Sequence, residues 1–83
     1  MKAFTIYDSK AETYSYPFPH LNAATALREF SEKVNTPGNQ FSSHPYDFAL
    51  FEIGEWDDDV GVFMQYEVKK NLGLAGDYKA KEV

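Results

Sequence analysis

Along residues 3–8 the side chains alternate in an extended register. Phe4 and Ile6 fall on one face, and Ala3, Thr5 and Tyr7 on the other. A period of two predicts a strand. Asp8-Ser9-Lys10 predicts a turn. Residues 11–21 hold Tyr14, Tyr16 and Phe18, with Pro17 and Pro19 spaced by one residue. Prolines so placed exclude a helix or a central strand, so the segment reads as an ordered aromatic loop. From residue 23 the period changes. Ala23, Ala26, Leu27, Phe30 and Val34 recur at spacings of three and four, which predicts a helix over 23–34. Asn22 is a good N-cap, Glu29 and Lys33 form an i,i+4 pair, and Asn35-Thr36-Pro37-Gly38 stops the helix.

Residues 39–46 read as a polar loop and 47–53 as a strand. Phe48, Leu50 and Glu52 share one of its faces; Ala49, Phe51 and Ile53 share the other. The second set is wholly apolar and is expected to face the helix. Gly54 to Asp59 reads as an acidic turn, and Val60 to Val68 as a strand with Val60, Val62, Met64, Tyr66 and Val68 in alternation. The two strands are expected to form an antiparallel hairpin. The reading is a single small α+β domain over residues 1–78, ordered β-α-β-β. One amphipathic helix packs on an antiparallel or mixed sheet, and residues 79–83 fray. The first strand could pair with either strand of the hairpin. No second helix exists to cover the far face of the sheet. Either the aromatic segment 14–18 folds over it, or a second subunit does.

Composition sharpens this picture. The 83 residues include seven Phe, six Tyr and one Trp, against two Ile, five Leu and five Val. Aromatics must therefore supply much of the core. So small a core, without disulfides or metals, favours self-association, and a homo-oligomer is expected. There is no cysteine, hence no thiolate chemistry and no disulfide framework. No apolar run approaches about 18 residues. Met1-Lys2-Ala3 leads straight into the first strand, without the roughly 7–15-residue apolar stretch of a secretory signal.

Enzyme signatures are missing. No G-x-S-x-G, G-x-x-x-x-G-K-[ST] or G-x-G-x-x-G occurs. His20 and His44 lie 24 residues apart with no short-range ligand motif, so no metal or other cofactor is expected. Asp57, Asp58 and Asp59 are consecutive, unlike the spaced carboxylates of a calcium loop. The sequence reads as nonenzymatic.

Two binding chemistries remain. Eight Lys and Arg stand against thirteen Asp and Glu, a net charge of −5, which disfavours phosphate. Even so, Tyr7, Tyr14 and Tyr16 could stack on bases beside Lys2, Lys10, Lys69 and Lys70. The competing assignment puts these aromatics in the core or in a subunit interface. Glu52, Glu55, Trp56, Asp57, Asp58 and Asp59 form an acidic surface suited to a protein partner. His44, Pro45 and Asp47 read as a structural turn.

A resemblance carries the reading further. It rests on Asp8, Lys10-Ala11-Glu12, Pro17-Phe18, Arg28, Phe30, Val34-Asn35, His44-Pro45, Asp47-Phe48, Leu50-Phe51, Ile53-Gly54 and Trp56-Asp57. In this order and spacing they resemble the small nonstructural protein of gokushovirus-type microviruses, which are single-stranded-DNA phages of the Microviridae. The resemblance spans residues 1–61 and is weaker beyond. It implies a phage accessory protein of the host bacterial cytoplasm, placed near single-stranded-DNA replication or packaging, and it supplies no catalytic residues. Contact with DNA or with the replication machinery is the first expectation. An acidic adaptor that meets a phage or host protein without touching DNA is the second.

Overall fold

A computed structural model describes residues 1–80. The order is β1 (Lys2–Asp8), β2 (Thr13–Tyr14), β3 (Phe18–His20), α1 (Ala23–Val34), α2 (Gln40–Ser43), β4 (Phe48–Asp57), β5 (Val62–Leu74) and a closing 3₁₀ turn, Ala75–Tyr78. The five strands make one sheet, in which every pairing is antiparallel. β1 pairs with β4 along its whole length, which settles the pairing that the sequence left open. β2 and β3 share the other edge of β1, at opposite ends. The fold is α+β, with one main helix on an antiparallel sheet.

The aromatic segment 11–21 is thus not simply a loop. Its prolines are tolerated because β2 and β3 lie at an edge, where a missing N–H costs no ladder bond. Ser15 fills the gap between them. Its backbone N–H donates to the Ile6 carbonyl at 2.8 Å, and its hydroxyl accepts the Ile6 N–H at 2.9 Å. Thr5 donates to the Ser15 carbonyl at 2.8 Å. The loop expected at 39–46 contains α2, because Asn39 caps it by accepting the Ser42 N–H at 3.0 Å.

α1 begins in a capping box, where Asn22 Oδ1 accepts the Thr25 N–H at 2.9 Å and Thr25 Oγ1 accepts the Asn22 N–H at 3.3 Å. Its buried face, Ala26, Phe30 and Val34, packs on Phe4, Ile6, Phe48, Leu50 and Ala75. Phe41 stands edge-on to Phe48 at 4.7 Å between ring centres, and Phe30 meets Tyr78 at 6.2 Å. Among the described residues, Phe4, Phe30 and Phe48 thus supply three of the eight buried residues of the core cluster, with Phe41 and Tyr78 packed against them.

The facing of β4 is the reverse of the sequence expectation. Phe48 and Leu50, not Phe51 and Ile53, lie under the helix. Leu50 is the partner of Ile6, and Glu52 the partner of Phe4. Cross-strand partners share a face, so the core face of β1 fixes that of β4. β4 also continues to Asp57, and the turn is 58–61 rather than 54–59. β5 runs six residues past the expected Val68. It is irregular: Glu52 pairs with Lys70 while Gly54 pairs with Gln65, so Tyr66–Lys69 bulge out opposite Ile53.

At the chain's end, Lys79 Nζ donates to the Ser42 carbonyl at 2.7 Å and the Ala80 N–H to Asn35 Oδ1 at 2.7 Å. These two residues of the tail expected to fray are tied to the body; residues 81–83 lie outside the described residues. Among the described residues, no helix is long and apolar enough to cross a membrane.

Candidate functional site

Strand alternation puts Thr5, Tyr7, Ala49 and Phe51 on the face of the sheet away from α1. Tyr14, the β2 partner of Tyr7, joins them. The Tyr7 and Tyr14 rings lie 4.6 Å apart between centres, and Tyr14 meets Phe51 edge-on at 6.0 Å. Lys69 Nζ sits over the Tyr14 ring, 5.4 Å from its centre. Tyr14 is about half exposed, at 47%. The result is an open shelf of three aromatic rings with a cation at its rim. Sequence reasoning named Tyr7, Tyr14 and Lys69. It missed Phe51, because the expected facing of β4 turned that residue inward.

The remaining candidate bases lie elsewhere. Lys2 and Lys70 converge on Glu52, each with Nζ 3.6 Å from Oε2. The Tyr66 hydroxyl donates to the same oxygen at 2.6 Å, and Lys70 also lies over the Tyr66 ring. Glu52 is 3% exposed, so these partners offset the cost of burying its charge. Burial pushes the Glu52 carboxyl up; the Tyr66 hydroxyl, Lys2 and Lys70 outweigh it and hold the pKa below the usual carboxylate range. In turn the hydrogen bond to Glu52, then burial, pushes Tyr66 up to about 12. Lys2 and Lys70 are thus structural counterions, and Glu52 is not part of an exposed acidic ridge.

Lys10 lies in the turn after β1, where Asp8 Oδ1 accepts the Lys10 and Ala11 N–H groups at 3.0 and 3.2 Å. It lines a shallow cleft with Asp8, Gln40, His44, Asp47 and Phe48. Tyr16 projects alone, 94% exposed. In the His44–Asp47 turn the Asp47 N–H donates to the His44 carbonyl at 3.1 Å. The Asp47 carbonyl accepts the Ser9 N–H at 2.8 Å, and the Pro45 carbonyl accepts the Gly76 N–H at 2.9 Å. Backbone groups thereby tie the turn to both ends of the fold. The Tyr46 ring covers Gly76, where a side chain would collide with it.

At the hairpin turn, the carboxylates of Asp57, Asp58 and Asp59 lie within 4.8 Å of one another. Asp57 Oδ1 accepts the Asp59 N–H at 3.0 Å, an ordinary turn contact. Trp56 is about half exposed beside them, and Glu55 is half-buried. A second titratable cluster clamps β3 to α1: His20 Nε2 bonds Glu29 Oε2, and Lys33 Nζ lies 3.3 Å from Glu29 Oε1. Burial pushes the Glu29 carboxyl up, but Lys33 and His20 more than compensate and lower its pKa.

Among known proteins, neither the curated sequences nor the solved structures provide a match. One family model does match, that of the Phage ORF5 protein, over residues 1–78. The match takes in every strand, both helices and the closing 3₁₀ turn. The chain belongs to the Phage ORF5 protein family.

Proposed function

We propose that this phage protein binds single-stranded nucleic acid on the helix-free face of its sheet, without catalysing a reaction. Its place of action on this reading is the host bacterial cytoplasm, during replication or packaging of a single-stranded DNA genome of the microvirus type. The observation that carries the reading is the shelf of Tyr7, Tyr14 and Phe51 with Lys69 over Tyr14. Bases stack on aromatic faces without regard to sequence, and a neighbouring cation takes the phosphate. Double-stranded DNA has no free base faces to offer such a shelf.

With Lys2 and Lys70 engaged by Glu52, the shelf has few free cations. Stacking then carries more of the affinity than charge, and a shallow salt dependence is expected. The test is fluorescence anisotropy of labelled single- and double-stranded oligonucleotides at about 50 and 200 mM salt. Tyr14→Ala removes one stacking ring from an exposed position. It is expected to weaken single-strand binding about 5- to 150-fold, the equivalent of about 1–3 kcal/mol. Equal affinity for wild type and Tyr14→Ala, or no binding at all, overturns the proposal. In that case the acidic adaptor becomes the better reading, on the strength of Trp56 exposed beside Asp57, Asp58 and Asp59.

A further inference from the structure

Two hollows adjoin where the turn after β1 meets α2. The larger, about 290 Å³, is the cleft bordered by Asp8, Lys10, Gln40, His44, Asp47 and Phe48. The smaller, about 160 Å³, extends over Ile6 and Phe41 to Thr13, Tyr14 and Ser15. Asp8, Gln40 and Phe48 border both, so the two make one groove. It runs from His44 round the β2 edge to Tyr14, the central ring of the shelf. Its floor is apolar: Ile6 and Phe48 are buried and Phe41 is half-buried. Its polar groups are little used by the chain itself. Asp8 Oδ1 caps the Lys10 and Ala11 N–H groups. Among the described residues Asp8 Oδ2, the Lys10 ammonium, the Gln40 amide, the His44 ring and the Asp47 carboxylate have no hydrogen-bond or ion-pair partner. Glu52 and Glu29, by contrast, are each held by at least two side chains.

We infer that this groove receives one base of the single strand stacked on the shelf, and that it selects a base with an exocyclic amino group over thymine. Such selection rests on the single-strand reading of the shelf and adds sequence preference to it. Stacking on Tyr7, Tyr14 and Phe51 does not read sequence. Preference comes from groups that meet base edges. A strand leaving Tyr14 has the groove beside it, and the apolar floor shields one face of a base from water. At the rim, the Asp8 and Asp47 carboxylates only accept hydrogen bonds. Cytosine, adenine and guanine each bring an amino donor to such acceptors. Thymine presents carbonyl oxygens on both sides of its one N–H, and these repel a carboxylate. The Gln40 amide can donate or accept, so the carboxylates decide. Lys10 stands in the same rim, where its ammonium can take the phosphate and offset one of the two negative charges.

Fluorescence anisotropy of labelled oligo(dC) and oligo(dT) of one length reads the preference. Oligo(dC) is expected to bind about fivefold tighter or more, the lower end for a base-edge contact. Asp8→Asn is the sharper test. Its Oδ1 still caps the turn, while its amide nitrogen puts a donor where Asp8 Oδ2 accepts. The ratio of oligo(dC) to oligo(dT) affinity should fall to about one or invert, because an amide donor suits thymine O4. Asp47→Asn should lower the ratio in the same sense, and circular dichroism confirms that each variant is folded. Lys69→Ala, at the rim of the shelf, should weaken both oligonucleotides alike. Equal affinity for the two, with Tyr14→Ala still weakening both, overturns the groove and leaves the shelf standing. A preference that survives both Asp8→Asn and Asp47→Asn also overturns it, since the base is then read elsewhere. Failure of every oligonucleotide to bind removes the shelf reading and the groove with it.

Discussion

Glu52→Gln keeps the shape of a buried side chain and removes its charge. Glu52 Oε2 accepts the Tyr66 hydroxyl at 2.6 Å and lies 3.6 Å from both Lys2 Nζ and Lys70 Nζ. A hydrogen bond to a charged group contributes about 1.5–3 kcal/mol and a neutral one about 0.5–1.5 kcal/mol, so the demoted bond loses about 1–1.5 kcal/mol. The Lys2 and Lys70 side chains are 33% and 60% exposed. Water takes over their ammonium groups, and each lost pair adds only about 0–1 kcal/mol. Relief from burying a carboxylate offsets part of the sum. The expected loss at neutral pH is about 1–2 kcal/mol, or about 5–15 °C in Tm for a domain of this size. Acid supplies an internal control. The folded pKa of Glu52 lies below the unfolded value of about 4.3. Its stabilisation is therefore complete above that value and is lost as pH falls through the folded pKa. Thermal melts followed by circular dichroism should show the two proteins furthest apart at neutral pH and converging in acid. Equal Tm at neutral pH, or a gap that widens on acidification, refutes the assigned role of the Glu52 cluster.

Two further outcomes follow from the same geometry. Tyr66, pushed up to about 12, should give a phenol absorbance step near that pH in a spectrophotometric titration, and Tyr66→Phe should lack it. The stability linked to it is complete below the unfolded value of about 10 and is lost as pH rises through the folded pKa. Tyr66→Phe should remove that alkaline loss, and wild-type and Tyr66→Phe titrations that coincide at the high-pH end argue against the bond. Leu50→Ala opens a cavity at a fully buried position beneath α1. It should lower the unfolding free energy by about 2–5 kcal/mol in urea, and a change well under 1 kcal/mol would place Leu50 outside the core.

How far the fold was legible depended on whether a segment's pattern was local. α1 was legible because its stop, its cap at Asn22 and its period agree. β1 was legible because Phe4 and Ile6 alternate with Thr5 and Tyr7. The facing of β4 was not. Both of its faces are rich in apolar residues, and the single charge at Glu52 weighted the wrong one. That charge is tolerated inside only because Lys2, Lys70 and Tyr66, none of them near it in sequence, converge on it. β2 and β3 were hidden for a similar reason. Their prolines argue against a strand unless the strand lies at an edge, and edge position is a property of the whole sheet. The same long-range dependence separated the candidate site. Tyr7, Tyr14 and Lys69 come from three strands and meet only because β1 lies between β2 and β4, while β5 bulges at 66–69 to lay Lys69 over Tyr14.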